Sequence, residues 1–410
     1  MSNVLINHSL HSPSHDAISI ANSNNPQQFR TWLISVLSAA AIVMACALIS
    51  KGLFNEHSNL DLTPYLQSLV VLISFILISV FSPSWSTTNR GFISVLVFAI
   101  CSCLLIFTDN ALTSLGLVFL AYIFLVVSEK NKPVLLRLLI IYGVVIFALF
   151  IVSNLITASQ GAAFQGLSIA AYLLILGGFP LASWYGKLYE NSSTGICAGF
   201  LVVQGLFASK SALFIPESSS LIHGIFLIVA LLSSLAAAFQ VNAKRGFAAM
   251  AASQLLFIAF IAMLPFDGLA KAKLYIIAVF TLATPGVILT FGALESRVGH
   301  LSLFSPQGNY NSYPRLANTL LFFSLLSAGF PLSLGYVGID LLAEIVFSHE
   351  SLIMFGWMVV ISLNAIFSIR SFLYLCLGSP EHEENIDMMT SKYYLACGCI
   401  GFLFLIAFFI

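Results

Sequence analysis

Apolar residues in this chain do not alternate with polar ones; they run in long blocks separated by short stretches rich in Asn, Ser, Gly, Pro, Lys and Glu. An α-helix rises about 1.5 Å per residue, so about 20 apolar residues are needed to cross roughly 30 Å of hydrocarbon. Such segments fall at 31-50, 64-82, 91-107, 110-128, 134-156, 166-186, 194-215, 220-241, 246-264, 269-292, 316-347, 351-377 and 391-410. They predict an all-α polytopic membrane protein with about 13 transmembrane helices. The segment 316-347 is too long for one straight span, and Pro331 divides it. Residues 1-30 are polar and have no apolar signal-peptide core, so they read as a disordered cytoplasmic tail.

One tetrapeptide recurs inside these blocks, as Gly178-Phe179-Pro180-Leu181 and Gly329-Phe330-Pro331-Leu332. It is either a chance repetition in a Phe- and Leu-rich chain or a matched pair of helix breaks, since proline lacks the N–H that continues a helix. The two copies lie in the sixth and eleventh segments. An offset of five reverses direction across the membrane, which predicts an inverted repeat. The expected organisation is leading helices over 31-90, a five-helix unit over 91-215, its inverted counterpart over 220-377, and a trailing helix over 391-410.

Composition excludes several alternatives. The chain is 59% hydrophobic and 8% charged, with mean hydropathy +1.00, too little polar surface for a water-soluble globule of 410 residues. Its 16 basic and 16 acidic residues cancel, which argues against nucleic acid as a partner; the lipid bilayer is the expected surroundings. The seven cysteines lie in apolar blocks without a Cys-x-x-Cys pair and read as small core residues. His8, His11 and His15 have no closed ligand set near them, so no metal and no cofactor is expected. Twelve Lys and Arg residues fall on the tail's side of the membrane, against Lys51, Lys271 and Lys273 on the other, which predicts a cytoplasmic N-terminus and a C-terminus outside.

Ionisable groups at membrane depth mark ion or proton routes, and here they are few. Lys210, near the outer end of its segment, either snorkels to the interface or exchanges protons from a buried position. Lys187 and Glu190 follow the first break three residues apart, as an interfacial pair or as the mouth of a path. Asp340 and Glu344 follow the second break at i, i+4, where two carboxylates on one face share a proton most readily. Lys244, Arg245 and Arg370 sit at cytoplasmic helix ends and are explained by topology and headgroups. His223 reads as a structural histidine. Nothing resembles a nucleophile triad or nucleotide loop, so no catalytic residue is expected.

Four segments resemble the antiporter-like membrane subunits of respiratory complex I, Mrp-type cation/proton antiporters and two-component inorganic-carbon uptake systems. They are Phe179-Pro180 with Trp184, Tyr189, Glu190 and Thr194; Lys244-Arg245-Gly246-Phe247-Ala248 running on to Ser253-Gln254-Leu255; Ala328-Gly329-Phe330-Pro331 with Gly335, Tyr336 and Asp340; and Arg370 through Leu377-Gly378-Ser379-Pro380. The resemblance implies a proton- or cation-translocating scaffold at the bacterial inner (plasma) membrane, in a hetero-complex. By analogy with the carbon-uptake systems, one possible partner is a large peripheral subunit. The chain departs from the family at its charged positions. The family's glutamate falls near Phe119, its lysines at or near Ile175, Gly205 and Ile339, and its histidine at Ala182, while Leu274 to Leu294 holds neither His nor Lys. Two functions follow as expectations: a membrane subunit of an ion- or proton-coupled transport complex with a degenerate proton path, or a docking subunit that anchors a peripheral partner.

Overall fold

A computed structural model describes residues 63–81, 89–129, 132–157, 165–180, 183–215, 219–266, 268–299, 301–331, 333–378 and 387–409. The tail 1-30, the segment 31-50, Cys46, Leu181, Ala182 and Leu332 lie outside them. The described residues form α1 (Thr63–Phe81), α2 (Asn89–Phe107), α3 (Ala111–Ser128), α4 (Pro133–Thr157), α5 (Gln165–Ile175), α6 (Ser183–Asn191), α7 (Thr194–Ala208) and the single turn α8 (Ser211–Phe214). There follow α9 (Ser220–Phe239), α10 (Ala243–Met263), α11 (Ala270–Val298), the short α12 (Asn309–Ser312), α13 (Pro314–Ser327), α14 (Leu334–Cys376) and α15 (Thr390–Phe409). Every predicted apolar segment within the described residues is a helix, or helices meeting at an interruption. The fold is all-α, as a bilayer requires when each backbone polar group must be satisfied within its own segment.

Burial sorts the helices. In α3 and α4 only a third of the apolar window is buried, and Leu112, Val134, Ile141 and Val144 point outward from the bundle, as residues facing lipid do. By contrast α11 is apolar on every side and its window is wholly buried. A helix of that kind belongs at the centre; α1, α7, α10, α13 and α14 pack around it. Close approach is obtained by seating a phenylalanine ring over a glycine. A Cβ built on Gly205 of α7 falls 2.5 Å from Phe280 of α11, and one on Gly286 falls 2.6 Å from Phe323 of α13. Small residues at such crossings let backbones approach, which replaces the hydrophobic drive that lipid removes.

The loops gather at two ends. At end A, Asn242 pairs with Ser302, Leu303 N–H donates to Val241, and Gln307 N–H to Tyr374. At end B, Lys210 reaches Asp109, Ser211 donates to the Ala259 carbonyl, and Phe266 stacks on His349. Helix α14 is two helices joined at Glu350, whose φ/ψ of −136°/61° is not helical. That position separates the predicted segments 316-347 and 351-377.

Candidate functional site

Both Gly-Phe-Pro-Leu segments interrupt the helical chain. Helix α5 ends at Ile175 and α6 starts at Ser183; α13 ends at Ser327 and α14 starts at Leu334. Gly177 and Gly329 take φ of +78° and +73°, a region that glycine enters without steric cost. An interruption strands backbone groups, and in a membrane each must find a partner.

At the first break a side chain from a neighbouring helix supplies it. Gln204 of α7 donates Nε2–H to the Ile175 carbonyl at 2.7 Å, and its Oε1 accepts from the Tyr185 hydroxyl at 2.9 Å. Tyr185 and Tyr189 hydroxyls lie 3.2 Å apart. Phe179 N–H, which would have closed the helical bond to Ile175, donates to Ser233 Oγ at 3.0 Å, and Trp184 Nε1–H donates to the Leu174 carbonyl at 3.2 Å. Gln204 is fully buried, and both tyrosines nearly so.

The second break repeats the solution. Ser327 lies four residues before Pro331, so its carbonyl has lost its helical donor. Gln254 of α10 donates Nε2–H to that carbonyl and to Ser327 Oγ, both at 2.9 Å, while Thr284 of α11 donates to Gln254 Oε1 at 3.0 Å. Ser253 donates to Asn364 Oδ1 at 3.0 Å beside it. A cavity of about 60 Å³ opens here, lined by Gln254, Thr284, Ser327, Gly329, Gly335 and Asn364 among others. Most of its wall is aliphatic and aromatic, with Phe257, Ile276, Val279 and Ile339 among the lining, so Gln254, Thr284, Ser327 and Asn364 are a few polar groups gathered on one otherwise apolar cavity with room for a few waters.

What is absent from this axis defines it. The positions where the resembled family carries lysine are Ile175, wholly buried; Gly205, whose place is filled by Phe280; and Ile339, which faces the cavity with its aliphatic side chain. Between Leu274 and Leu294 the polar side chains of α11 are hydroxyls: Tyr275, Thr281, Thr284 and Thr290. Among the described residues the two breaks are therefore bridged by neutral amides and hydroxyls.

Charges lie toward the bundle ends. Glu190 does not join Lys187, as its spacing suggests. Its Oε1 accepts from Asn242 at 3.0 Å and its Oε2 from Arg245 Nη2 at 2.8 Å, because the start of α10 is packed against α6; Lys187 is exposed. Lys244 joins Glu295 at 2.8 Å, and Lys132 joins the buried Glu129 at 2.8 Å while its ammonium also meets the Asn191 carbonyl. Arg370 bonds the Ala238 and Leu303 carbonyls and lies over the Tyr374 ring. Lys210 is not inside a helix: α7 ends at Ala208, and from the following turn its ammonium reaches Asp109 at 3.2 Å and end B. Asp340 and Glu344 are exposed on the outer face of α14, since Ile339 and Gly335 take the cavity side.

The sequence did not reveal the roles of Gln204, Gln254, Thr284 and Asn364, since neutral polar residues look like packing in an apolar run. Nor did it reveal Glu129 or the His223–Glu350 pair, whose members lie far apart in sequence. A signal for the glutamines was available: long amides are out of place in spans otherwise built of Leu, Ile, Ala and Phe, and two proline breaks need donors.

No protein-family model and no curated protein matches the sequence. Solved structures share its fold. A chain from the Mrp complex of Dietzia sp. DQ12-45-1b superposes with a TM-score of 0.75 at 13% identity, over 96% of this chain and 92% of that one. A chain of respiratory complex I from Thermus thermophilus with bound Aureothin gives 0.74 at 17% identity, covering 95% of each. A chain of the membrane-bound sulfane sulfur reductase, an archaeal respiratory membrane complex, gives 0.71 at 13% identity, over 95% of this chain and 74% of that one. The expected likeness is borne out at the level of fold: this chain has the architecture of these chains from the Mrp complex and respiratory complex I.

Proposed function

We propose that the chain is a membrane subunit of an ion- or proton-coupled transport complex, with an antiporter-type scaffold whose own central axis carries no charge. The observation behind this reading is the pair of helix breaks, each bridged by a glutamine from a neighbouring helix, Gln204 buried and Gln254 half-buried beside a cavity large enough for water. Interrupted helices next to hydrated polar groups are the usual setting of an ion path. Titratable groups are then supplied from the perimeter, by Asp340 and Glu344 on the outer face of α14 and by Lys210 at end B. End A, with Lys244, Arg245 and Arg370, is the cytoplasmic end in this reading, and Glu190 and Lys187 lie at its mouth.

A second function is favoured by the neutral axis itself. A scaffold that lacks charge between its breaks is suited to anchoring another subunit, including a large peripheral one such as an inorganic-carbon uptake system would use. The two readings separate in the assembled complex in sealed vesicles, by proton flux read from a pH-sensitive dye. Asp340→Asn combined with Lys210→Ala reduces flux at least about tenfold if the perimeter charges carry it. Full flux in the double variant contradicts translocation by this chain and leaves the anchoring role.

A further inference from the structure

The first half of α14, residues 334–349, differs from the other helices in how it is held. Its lower end meets Gly329 at φ +73° in the second break, and its upper end meets the non-helical Glu350. Its face toward α11 is smoothed by two glycines: a Cβ on Gly335 would fall 3.3 Å from Val279, and one on Gly338 would fall 2.9 Å from Ile276. Beside that face lies the cavity, with Gly335 and Ile339 forming one wall. A rigid segment between two backbone irregularities, resting on a side-chain-free surface and covering a void, is built to move as a unit.

At its upper end His349 stacks on Phe266, 4.3 Å between ring centroids, and one hydrogen-bonded pair ties the segment to α9. Glu350 accepts from His223 Nδ1–H on α9, with both carboxylate oxygens in range at 3.0 and 2.9 Å, and Ser220 Oγ–H adds a bond to Oε1 at 3.4 Å. His223 is 2% exposed and packs edge-on against Phe260 of α10, 5.2 Å between ring centroids. Among the described residues its Nε2 is buried without a hydrogen-bond partner, so the hydrogen bonds that orient the ring are those to Glu350. A buried group in that condition is costly to hold and is kept only where its other bond matters.

We propose that residues 334–349 form a gate over the second-break cavity and that His223–Glu350 is its latch. With the pair formed, the half-helix is pinned to α9 and the cavity wall is closed. With the pair broken, the half-helix pivots between Gly329 and Glu350, away from Val279 and Ile276, and the cavity widens. His223 and Glu350 act on the cavity through the helix and are positioning residues.

The test uses the full chain in lipid nanodiscs, with Ile339→Cys as a reporter in the cavity wall, labelled by N-ethylmaleimide and read at that peptide by mass spectrometry. Adding Glu350→Gln, which keeps the side chain's shape, or His223→Phe, which keeps a ring against Phe260, raises the labelling rate about tenfold or more. Amide exchange rises over 334–349 and stays unchanged in α11. Unchanged labelling in both variants overturns the proposal. So does an equal rise of exchange through α10 and α11, which marks general loosening rather than a gate.

Discussion

Gly205→Lys is expected to leave little folded protein, although it restores a lysine near where the resembled family carries one. The Cβ alone would fall 2.5 Å from Cε1 of Phe280, and that ring sits on the buried central helix with nowhere to withdraw. Overpacking of this kind costs about 1–3 kcal/mol. An ammonium brought into the bundle interior adds about 3 kcal/mol on insertion scales. The combined penalty, on the order of 5 kcal/mol, is comparable to the whole stability of many domains. The check is the monodisperse fraction in detergent. Gly205→Lys should lose most of it, and trimming the ring in Gly205→Ala/Phe280→Leu should recover more than Gly205→Ala alone. Wild-type yield from Gly205→Lys would mean that Phe280 does not fill this position.

Replacing the amide at the second break is the next largest effect expected. Gln254→Leu is nearly the same size, but it strands the Ser327 carbonyl, whose helical donor Pro331 cannot supply, and removes the acceptor of Thr284. A stranded buried acceptor costs about 1–3 kcal/mol. Paired polar side chains in membranes average somewhat less, because the unfolded state also finds partners. A loss of about 2 kcal/mol is therefore expected, visible as a lower thermal midpoint in detergent and as faster amide exchange over 325–331. Gln254→Glu at high pH should be worse than Gln254→Leu, since it places a carboxylate against the carbonyl it must face. A thermal midpoint equal to wild type for Gln254→Leu would show that water replaces the amide at no cost.

These two variants also mark how far the sequence could be read. The helices were legible because block length is dictated by bilayer thickness, and both breaks were legible because the same Gly-Phe-Pro-Leu word recurs at matching places; proline alone would not have marked them, since Pro285 lies within the uninterrupted α11. Side-chain partners were not. Glu190 lies three residues from Lys187, and local spacing suggests that pair, yet α10 brings Asn242 and Arg245 to it from more than fifty residues away. Lys210 falls inside an apolar segment in sequence, but α7 stops two residues earlier and hands it to Asp109. The i, i+4 spacing of Asp340 and Glu344 placed them on one face of a helix. Which face looked inward was decided by Gly335 and Ile339 packing on α11, a fact that belongs to the assembled bundle.

Among the described residues the two breaks are joined by an axis without charge, so that in the proposed reading any path needs the perimeter groups and a partner, and proton flux by the purified chain tests it most directly. The protein would be reconstituted alone into sealed vesicles, a pH gradient and a potassium–valinomycin potential imposed, and internal pH followed by a trapped dye. The expected result is flux equal to that of protein-free vesicles, because the axis between the breaks offers only amides and hydroxyls, and the perimeter groups Asp340, Glu344 and Lys210 complete a path only against a partner subunit in the assembled complex. Flux well above that level, abolished by Gln204→Leu or Gln254→Leu, would contradict the reading and make the neutral axis itself the conductor.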